Sequence, residues 1–303
     1  MSAKLTILGA GSALPTRYNF PSAQILELRN KQYMIDCGEG AQIRMRQMGL
    51  KNTRLNHIFI SHLHGDHCFG LMGLISSFAL LNRTAELQVH GPLGITKLFE
   101  QQMNFFCDGI PFKASFQEFD TSQHKLIYAD RSVEVYSIPL KHRVPCSGFL
   151  FKEKPKDRHL IRDMIDFYQI PISQRNLIKK GADFISEEGK TIPNHLLTTD
   201  PDETISYAYC SDTAYSEEIV PIISKVDLLY HEATFAGSET LRAQKTMHST
   251  AEQAATIARL AEVKQLVIGH LSARYNNQNV VLKEAQAVFK NTILAEDGKV
   301  IEF

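Results

Sequence analysis

Eight residues, Ser61-His62-Leu63-His64-Gly65-Asp66-His67-Cys68, constrain this chain more than any other stretch. They place three imidazoles and a carboxylate within six positions, directly after the apolar run Ile58-Phe59-Ile60. A strand that ends in such a cluster delivers several metal ligands to one point. His62 and His64, two apart, can face one ion, while Asp66 and His67 lie just beyond to face a second. Imidazole and carboxylate with little thiolate suit zinc or another borderline divalent ion. With histidine at 12 of 303 positions, chance would produce His-x-His-x-Asp-His on the order of once in a thousand such chains. A polar turn with incidental histidines is therefore set aside in favour of a metal site.

A chain of 303 residues, 44% of them hydrophobic, can bury a large core and suits one large α/β domain. The formal net charge is zero, so any contact with a polyanion must use local patches. The five cysteines, Cys37, Cys68, Cys107, Cys146 and Cys210, are scattered and odd in number. They read as reduced thiols of a cytoplasmic protein. Met1-Ser2-Ala3-Lys4 leads straight into a strand-like stretch without a signal-peptide pattern, and no apolar run approaches a membrane span.

Strand patterns fall at residues 4–9, 24–28 and 32–35, the last two flanking an Arg29-Asn30 turn, and again at 87–90, 133–140, 148–152, 206–210 and 265–268. Helical patterns cover 39–48, 94–106, 251–261 and 280–290, and the mostly apolar 69–81 reads as a fully buried helix. Early hairpins followed by strand–helix alternation predict an α/β layered sandwich with mixed sheets. From about Glu153 to Asp202 the chain turns charged and is punctuated by Pro155, Pro171, Pro193 and Pro201. It contains one helix pattern, 157–168, and the basic pair Lys179-Lys180. So long a break reads as an insertion projecting from the core; the plain alternative is a surface excursion without a role.

Further ligands should come from other strand ends. His142 follows an apolar strand, Asp212 follows Tyr207-Ala208-Tyr209-Cys210, and His270 follows Leu266-Val267-Ile268-Gly269, where glycine lets the backbone bend closely. Singly, each is more often a rim histidine or a capping aspartate; jointly with the first cluster they form a set. One ion then falls to His62, His64 and His142, the other to Asp66, His67 and His270, with Asp212 able to bridge. Two divalent ions about 3.5–4 Å apart would share a water or hydroxide suited to attack on phosphodiesters or activated acyl groups. His248, just before a helix capped by Ser249 or Thr250, is either a proton donor to a leaving oxygen or a loop residue. Glu232 could orient a catalytic histidine, whereas His231 reads as structural. Arg44, Arg46, Lys51 and Arg54 crowd one stretch and either meet phosphates of a polyanion or form a solvated face.

The sequence resembles the ribonuclease Z family of the metallo-β-lactamase superfamily. The metal motif alone identifies only the superfamily. The finer matches are Leu8-Gly9-Ala10-Gly11-Ser12-Ala13-Leu14-Pro15, Asp36-Cys37-Gly38-Glu39-Gly40, the continuation His67-Cys68-Phe69-Gly70-Leu71, Ser211-Asp212-Thr213, His231-Glu232-Ala233-Thr234-Phe235, His248-Ser249-Thr250 and Gly269-His270. The resemblance spans essentially the whole chain. It implies a four-layer αββα sandwich of two mixed β-sheets, a homodimer, and two Zn2+ on His62, His64, Asp66, His67, His142, Asp212 and His270, with Mn2+ or Fe2+ as other occupants of such ligands. It further implies Asp66 as proton acceptor, His248 at the scissile phosphate with Glu232 behind it, and hydrolysis of precursor tRNA that leaves a 3′-hydroxyl on the tRNA. The 153–202 insertion falls where the family carries its tRNA-gripping arm, with Lys179 and Lys180 as candidate contacts. Two departures are visible: Ile170-Pro171-Ile172-Ser173-Gln174 lacks the arm's usual Gly-Pro-rich turn, and Met72 stands where proline is frequent. A hydrolase of the same fold acting on small phosphodiesters or esters is the alternative. A catalytically silent scaffold is disfavoured because all seven ligand positions are filled.

Overall fold

The computed structural model describes residues 2–17, 19–275 and 277–303. The chain divides into two compact units, Met1–Lys152 with Ile205–Phe303, and Glu153–Thr204.

The larger unit holds two seven-stranded sheets. The first runs β18 (Val300–Glu302), β1 (Lys4–Gly9), β2 (Ala23–Leu28), β3 (Lys31–Cys37), β4 (Leu55–Phe59), β5 (Leu87–Pro92), β6 (Ala114–Phe119). It is antiparallel from β18 to β3 and parallel from β3 to β6. The second runs β17 (Thr292–Leu294), β16 (Gln265–Gly269), β15 (Leu228–Glu232), β14 (Ser206–Cys210), β9 (Ser147–Glu153), β8 (Val133–Pro139), β7 (Leu126–Ala129). Its parallel half is β14 to β17. Both sheets are mixed.

Three apolar clusters define the layers. Leu5, Ile7, Tyr33 and Phe59 of the first sheet pack against Phe149, Phe151, Tyr207 and Tyr230 of the second. The outer face of the first sheet is covered by helices α1 (Ala41–Gln47), α3 (Gly70–Leu80) and α4 (Ile95–Phe106), through residues such as Met45, Leu74, Phe78 and Phe99. The outer face of the second is covered by α9 (Ala251–Leu260) and α10 (Asn279–Val288), through Ala254, Ile257 and Val281. This is the αββα sandwich. Each large apolar side chain so buried contributes roughly 1.5–3 kcal/mol against chain entropy. Two further helices complete the unit, α2 (Gly65–Cys68) and α8 (Thr240–Thr246).

The helix read at 69–81 starts earlier, because α2 grows directly out of the histidine motif and hands over at Phe69 to α3. Nor is it buried all round: Leu71, Leu74, Ile75 and Phe78 face the sheet, while Phe69, Leu80 and Leu81 are exposed at 73%, 82% and 54%. Gly70 permits the close approach, since a Cβ there would lie 2.0 Å from the Gly38 carbonyl oxygen. Strands β6, β7, β17 and β18 lacked clear sequence signals; the first two are half-exposed and the last two only three residues long.

The smaller unit is built from short pieces: β10 (His159–Leu160) paired with β13 (Thr198–Thr199), β11 (Phe184–Ile185) paired with β12 (Thr191–Ile192), and helices α5 (Arg162–Phe167), α6 (Ile172–Lys179) and α7 (Asn194–Leu197). The helix read at 157–168 forms only over Arg162–Phe167, as one piece of a small fold with its own core of Ile165, Ile170, Ile178, Phe184, Ile192 and Leu197. Its apolar residues are spaced through several short elements, so no window long enough to show a period exists. Pro171 precedes α6, where its fixed φ suits a helix start. No described helix is long and apolar enough to cross a membrane.

Candidate active site

The site assembles where strands of both sheets end. β4 stops at Phe59, and the next eight residues carry His62, His64, Asp66 and His67. From the facing sheet, β8, β14 and β16 end just before His142, Asp212 and His270. The structure brings all seven together as two groups, His62–His64–His142–Asp212 and Asp66–His67–His270, each with ligand atoms within 4.8 Å of one another.

Nitrogen approaches nitrogen inside these groups. His64 Nδ1 lies 3.0 Å from His62 Nε2 and 3.3 Å from His142 Nε2, and His67 Nε2 lies 3.3 Å from His270 Nε2. Two Zn–N bonds of 2.0–2.1 Å at a tetrahedral angle separate their nitrogens by about 3.3 Å, so the spacing matches imidazoles sharing a cation. Asp212 divides its carboxylate: Oδ2 lies 3.7 Å from His62 and 3.8 Å from His142, Oδ1 lies 3.5 Å from His67 and 3.3 Å from His270. Among the described residues, buried Oδ1 has no hydrogen-bond partner. A buried, unpartnered carboxylate oxygen facing two imidazoles suits a bridging ligand.

Four of the five histidines have their opposite ring nitrogen tied down, which fixes which nitrogen faces inward. His142 Nδ1 donates to the Met247 carbonyl at 3.0 Å and His270 Nδ1 to Thr234 Oγ1 at 3.0 Å. His67 Nδ1 donates to Asp36 Oδ2 at 2.7 Å, and His62 Nδ1 lies 3.0 Å from Ser61 Oγ. Asp36 also accepts from the Ser61 amide and hydroxyl, and from Tyr209 Oη of the other sheet at 2.7 Å. One buried network, Tyr209–Asp36–Ser61, therefore orients a histidine of each group. Four non-glycine residues with left-handed backbone surround the cluster: Ala13, Asp36, Met247 and His270, with φ of 61°, 55°, 59° and 56°. Each costs of order 1–3 kcal/mol and is held by its surroundings. The bend expected at Gly269 falls on His270 instead; Gly269 is needed because a Cβ would lie 2.3 Å from Tyr230 Oη.

The electrostatics call for positive charge. Burial works against the His67 imidazolium, yet Asp212, Asp36 and Asp66 push its pKa up to about 10. Burial likewise opposes ionisation of Asp66, but His270, His67 and the Ala13 amide, 2.8 Å from Oδ2, hold its carboxyl well below the usual range. His62, His64 and His142 are lowered, chiefly by burial, and stay neutral donors at pH 7.

Glu232 and His248 form a second unit beside the cluster. Fully buried Glu232 accepts from the amides of Thr213, Thr234 and Ser249 and from Thr234 Oγ1. His248 Nδ1 lies 3.0 Å from Glu232 Oε1. Burial disfavours both charges, but each stabilises the other, raising His248 and lowering Glu232. Thr250, not Ser249, caps α9 in a capping box with Gln253. Ser249 donates to the Thr213 carbonyl instead, fixing the backbone beside His248.

His231 is buried, its Nδ1 2.7 Å from the Glu232 carbonyl, in keeping with a structural role. Lys179 and Lys180 close α6 in the smaller unit. Of the basic stretch, Arg44 is committed to the Leu8 carbonyl and Gln47, and Arg54 to the Asn30 carbonyl. Sequence reasoning missed the orienting roles of Asp36, Ser61, Thr234 and Tyr209. Tyr209 carries no signal, because a tyrosine in an apolar strand reads as core.

Comparison with known proteins places the chain. A family profile described as anti-Pycsar protein Apyc1 matches residues 3–142. The ribonuclease Z of Bacteroides thetaiotaomicron is 57% identical over 298 residues, 98% of this chain and 94% of that one. Among solved structures, the short form of human tRNase Z superposes with a TM-score of 0.72 at 24% identity, covering 98% of each chain. The metallo-β-lactamase fold protein YhfI of Bacillus subtilis gives 0.70 at 17%, covering 100% of each chain. The chain has the metallo-β-lactamase fold and belongs to the ribonuclease Z family of endonucleases.

Proposed function

We propose that this protein is a zinc-dependent endonuclease that hydrolyses the 3′ trailer from precursor tRNA and leaves a 3′-hydroxyl on the tRNA. The observation that carries the reading is the pair of ligand groups joined by the divided Asp212 carboxylate. His62, His64 and His142 would hold one Zn2+, Asp66, His67 and His270 the other, with Asp212 between them; Mn2+ or Fe2+ fits the same donors. When bound, such a pair supplies a hydroxide nucleophile near neutral pH and neutralises phosphate charge.

The chain's own residues do the rest. Asp66, kept ionised by its neighbours and aimed by the Ala13 amide, accepts the proton of the attacking water. As the phosphorus–O3′ bond breaks, His248 gives its proton to O3′, and Glu232 holds that imidazole charged and in place. The smaller unit, with Lys179 and Lys180, grips the tRNA by shape and phosphates. Exposed apolar side chains at the two ends of α3, Phe69 at one and Leu80 and Leu81 at the other, support association as a homodimer.

The test is incubation of purified, zinc-loaded protein with a trailer-bearing precursor tRNA and with bis(p-nitrophenyl) phosphate, each with and without chelator. A single chelator-sensitive cut after the discriminator base is the expected result. Hydrolysis of the small ester without any cut in the RNA would move the assignment to a small-phosphodiester hydrolase.

A further inference from the structure

Three cavities of 560 Å3 open on the larger unit, and only one has a residue of the cluster in its wall. Its wall has an apolar side of Leu93, Val144, Pro145 and Met247, a polar side that includes Lys141 and residues 120–122, with His142 between them and exposed Arg143 beside it. His142 is shared: its ring faces the other imidazoles through Nε2, and the segment that follows it lines the cavity. A ligand group seated here is thus separated from the reacting centre by one imidazole.

Arg143 is exposed and makes no hydrogen bond or ion pair with the described residues. Its neighbours are spoken for: Lys141 is 2.7 Å from Glu218, and Asp120 accepts from the Ser122 amide and hydroxyl and from Gln123. Arg143 also stands close enough to the cluster for its charge to act on His64. An unpaired guanidinium on a fork geometry matched to phosphate, beside an apolar hollow of this volume, has the chemistry of a nucleotide seat. The apolar wall takes the flat base, and the guanidinium takes the phosphate attached to it.

We infer that this cavity binds the nucleotide flanking the scissile phosphate, with its base against Leu93, Val144, Pro145 and Met247 and its non-scissile phosphate on Arg143. The inference rests on the nuclease reading and deepens it, assigning a substrate position that the cluster itself does not supply. Arg143 acts on substrate placement, so its removal bears on substrates that carry a flanking nucleotide.

The chain contains no tryptophan, which allows a direct test. Leu93 is 66% exposed, so Leu93→Trp puts a single fluorophore in the wall without disturbing the core. Titration of the zinc-loaded variant with adenosine 5′-monophosphate is expected to quench its emission saturably, and inorganic phosphate is expected not to. Adding Arg143→Ala to it should weaken the nucleotide titration roughly 10–100-fold, the range for a lost charge-assisted contact. No quench, equal quench by inorganic phosphate, or a titration indifferent to Arg143 would overturn the inference. In kinetics, Arg143→Ala alone should lower kcat/KM on precursor tRNA at least tenfold more than on bis(p-nitrophenyl) phosphate. Equal losses would also overturn it. Wild-type protein that binds the nucleotide but never cuts precursor tRNA would instead remove the nuclease reading and leave the seat standing.

Discussion

Replacing Glu232 by glutamine removes one charge from a position with a specific task. Glu232 is fully buried and lies 3.0 Å from His248 Nδ1. Its carboxylate is the main reason His248, which burial would push down, sits at about 9 rather than 6.5. That difference is worth about 3 kcal/mol of preference for the imidazolium. Without it, burial opposes the imidazolium with only the weaker pull of Asp212 against it, so the pKa of His248 falls back toward its ordinary value. At about pH 7.5 the protonated fraction then falls about tenfold, and further at higher pH. An enzyme whose acid is His248 loses the corresponding rate on RNA, where the leaving O3′ needs a proton. It loses much less on a p-nitrophenyl ester, whose leaving group departs as a stable anion. The assay is kcat/KM against pH on both substrates for Glu232→Gln and wild type. The alkaline limb on RNA should move from near 9 down toward 6.5, while the ester profile moves little. An unmoved limb, or equal losses on the two substrates, refutes the assignment. Thermal unfolding of the variant separates a structural cost, since glutamine presents an amide to at least one of the three backbone N–H groups that the carboxylate now accepts.

Other consequences are as direct. Asp66→Ala should lower hydrolysis by 10²–10⁴-fold with the fold intact by circular dichroism, and activity above about one tenth of wild type would sink its role as proton acceptor. Removing the smaller unit and closing the gap with a two-residue turn is feasible because Lys152 and Ser206 are paired on adjacent strands; precursor-tRNA cleavage should drop while bis(p-nitrophenyl) phosphate hydrolysis persists, and equal loss on both would recast the unit as a lid. Half-buried His57 and buried His90, packed among aromatic rings, are lowered chiefly by burial, to about 4 and about 3. Because the unfolded chain takes up these protons first, stability should fall as pH drops below about 6.5, by up to about 1.4 kcal/mol per pH unit for each histidine. Urea midpoints between about pH 7 and 4 measure this slope, and a double substitution to glutamine that leaves it unchanged would refute the cause.

What the sequence made legible follows from locality. His62, His64, Asp66 and His67 sit in one turn, so their spacing alone announces shared ligation. His142, Asp212 and His270 were found by a weaker rule, a lone polar residue after a buried strand, which works for Asp212 and His270 because the parallel strands β14 and β16 end on one edge. The orienting residues escaped that rule. Asp36 and Tyr209 meet only because the two sheets face each other, with their partners 31 and 173 positions apart in sequence. The smaller unit was opaque for another reason: its core residues are divided among elements of two to eight residues, too short for a period to register. The apolar helix at 69–81 misled in the opposite direction, since hydrophobicity on all sides predicts full burial, and Phe69, Leu80 and Leu81 are nonetheless exposed.

The measurement that most directly tests the central claim is cleavage of a precursor tRNA in 18O-labelled water, with both product ends read by mass spectrometry. Direct hydrolysis at the two-cation site predicts a plain 3′-hydroxyl on the tRNA and one 18O in the 5′-phosphate of the trailer. A 2′,3′-cyclic phosphate on the tRNA, with no label in the trailer, would mean that the RNA's own 2′-hydroxyl is the nucleophile, and would contradict the account.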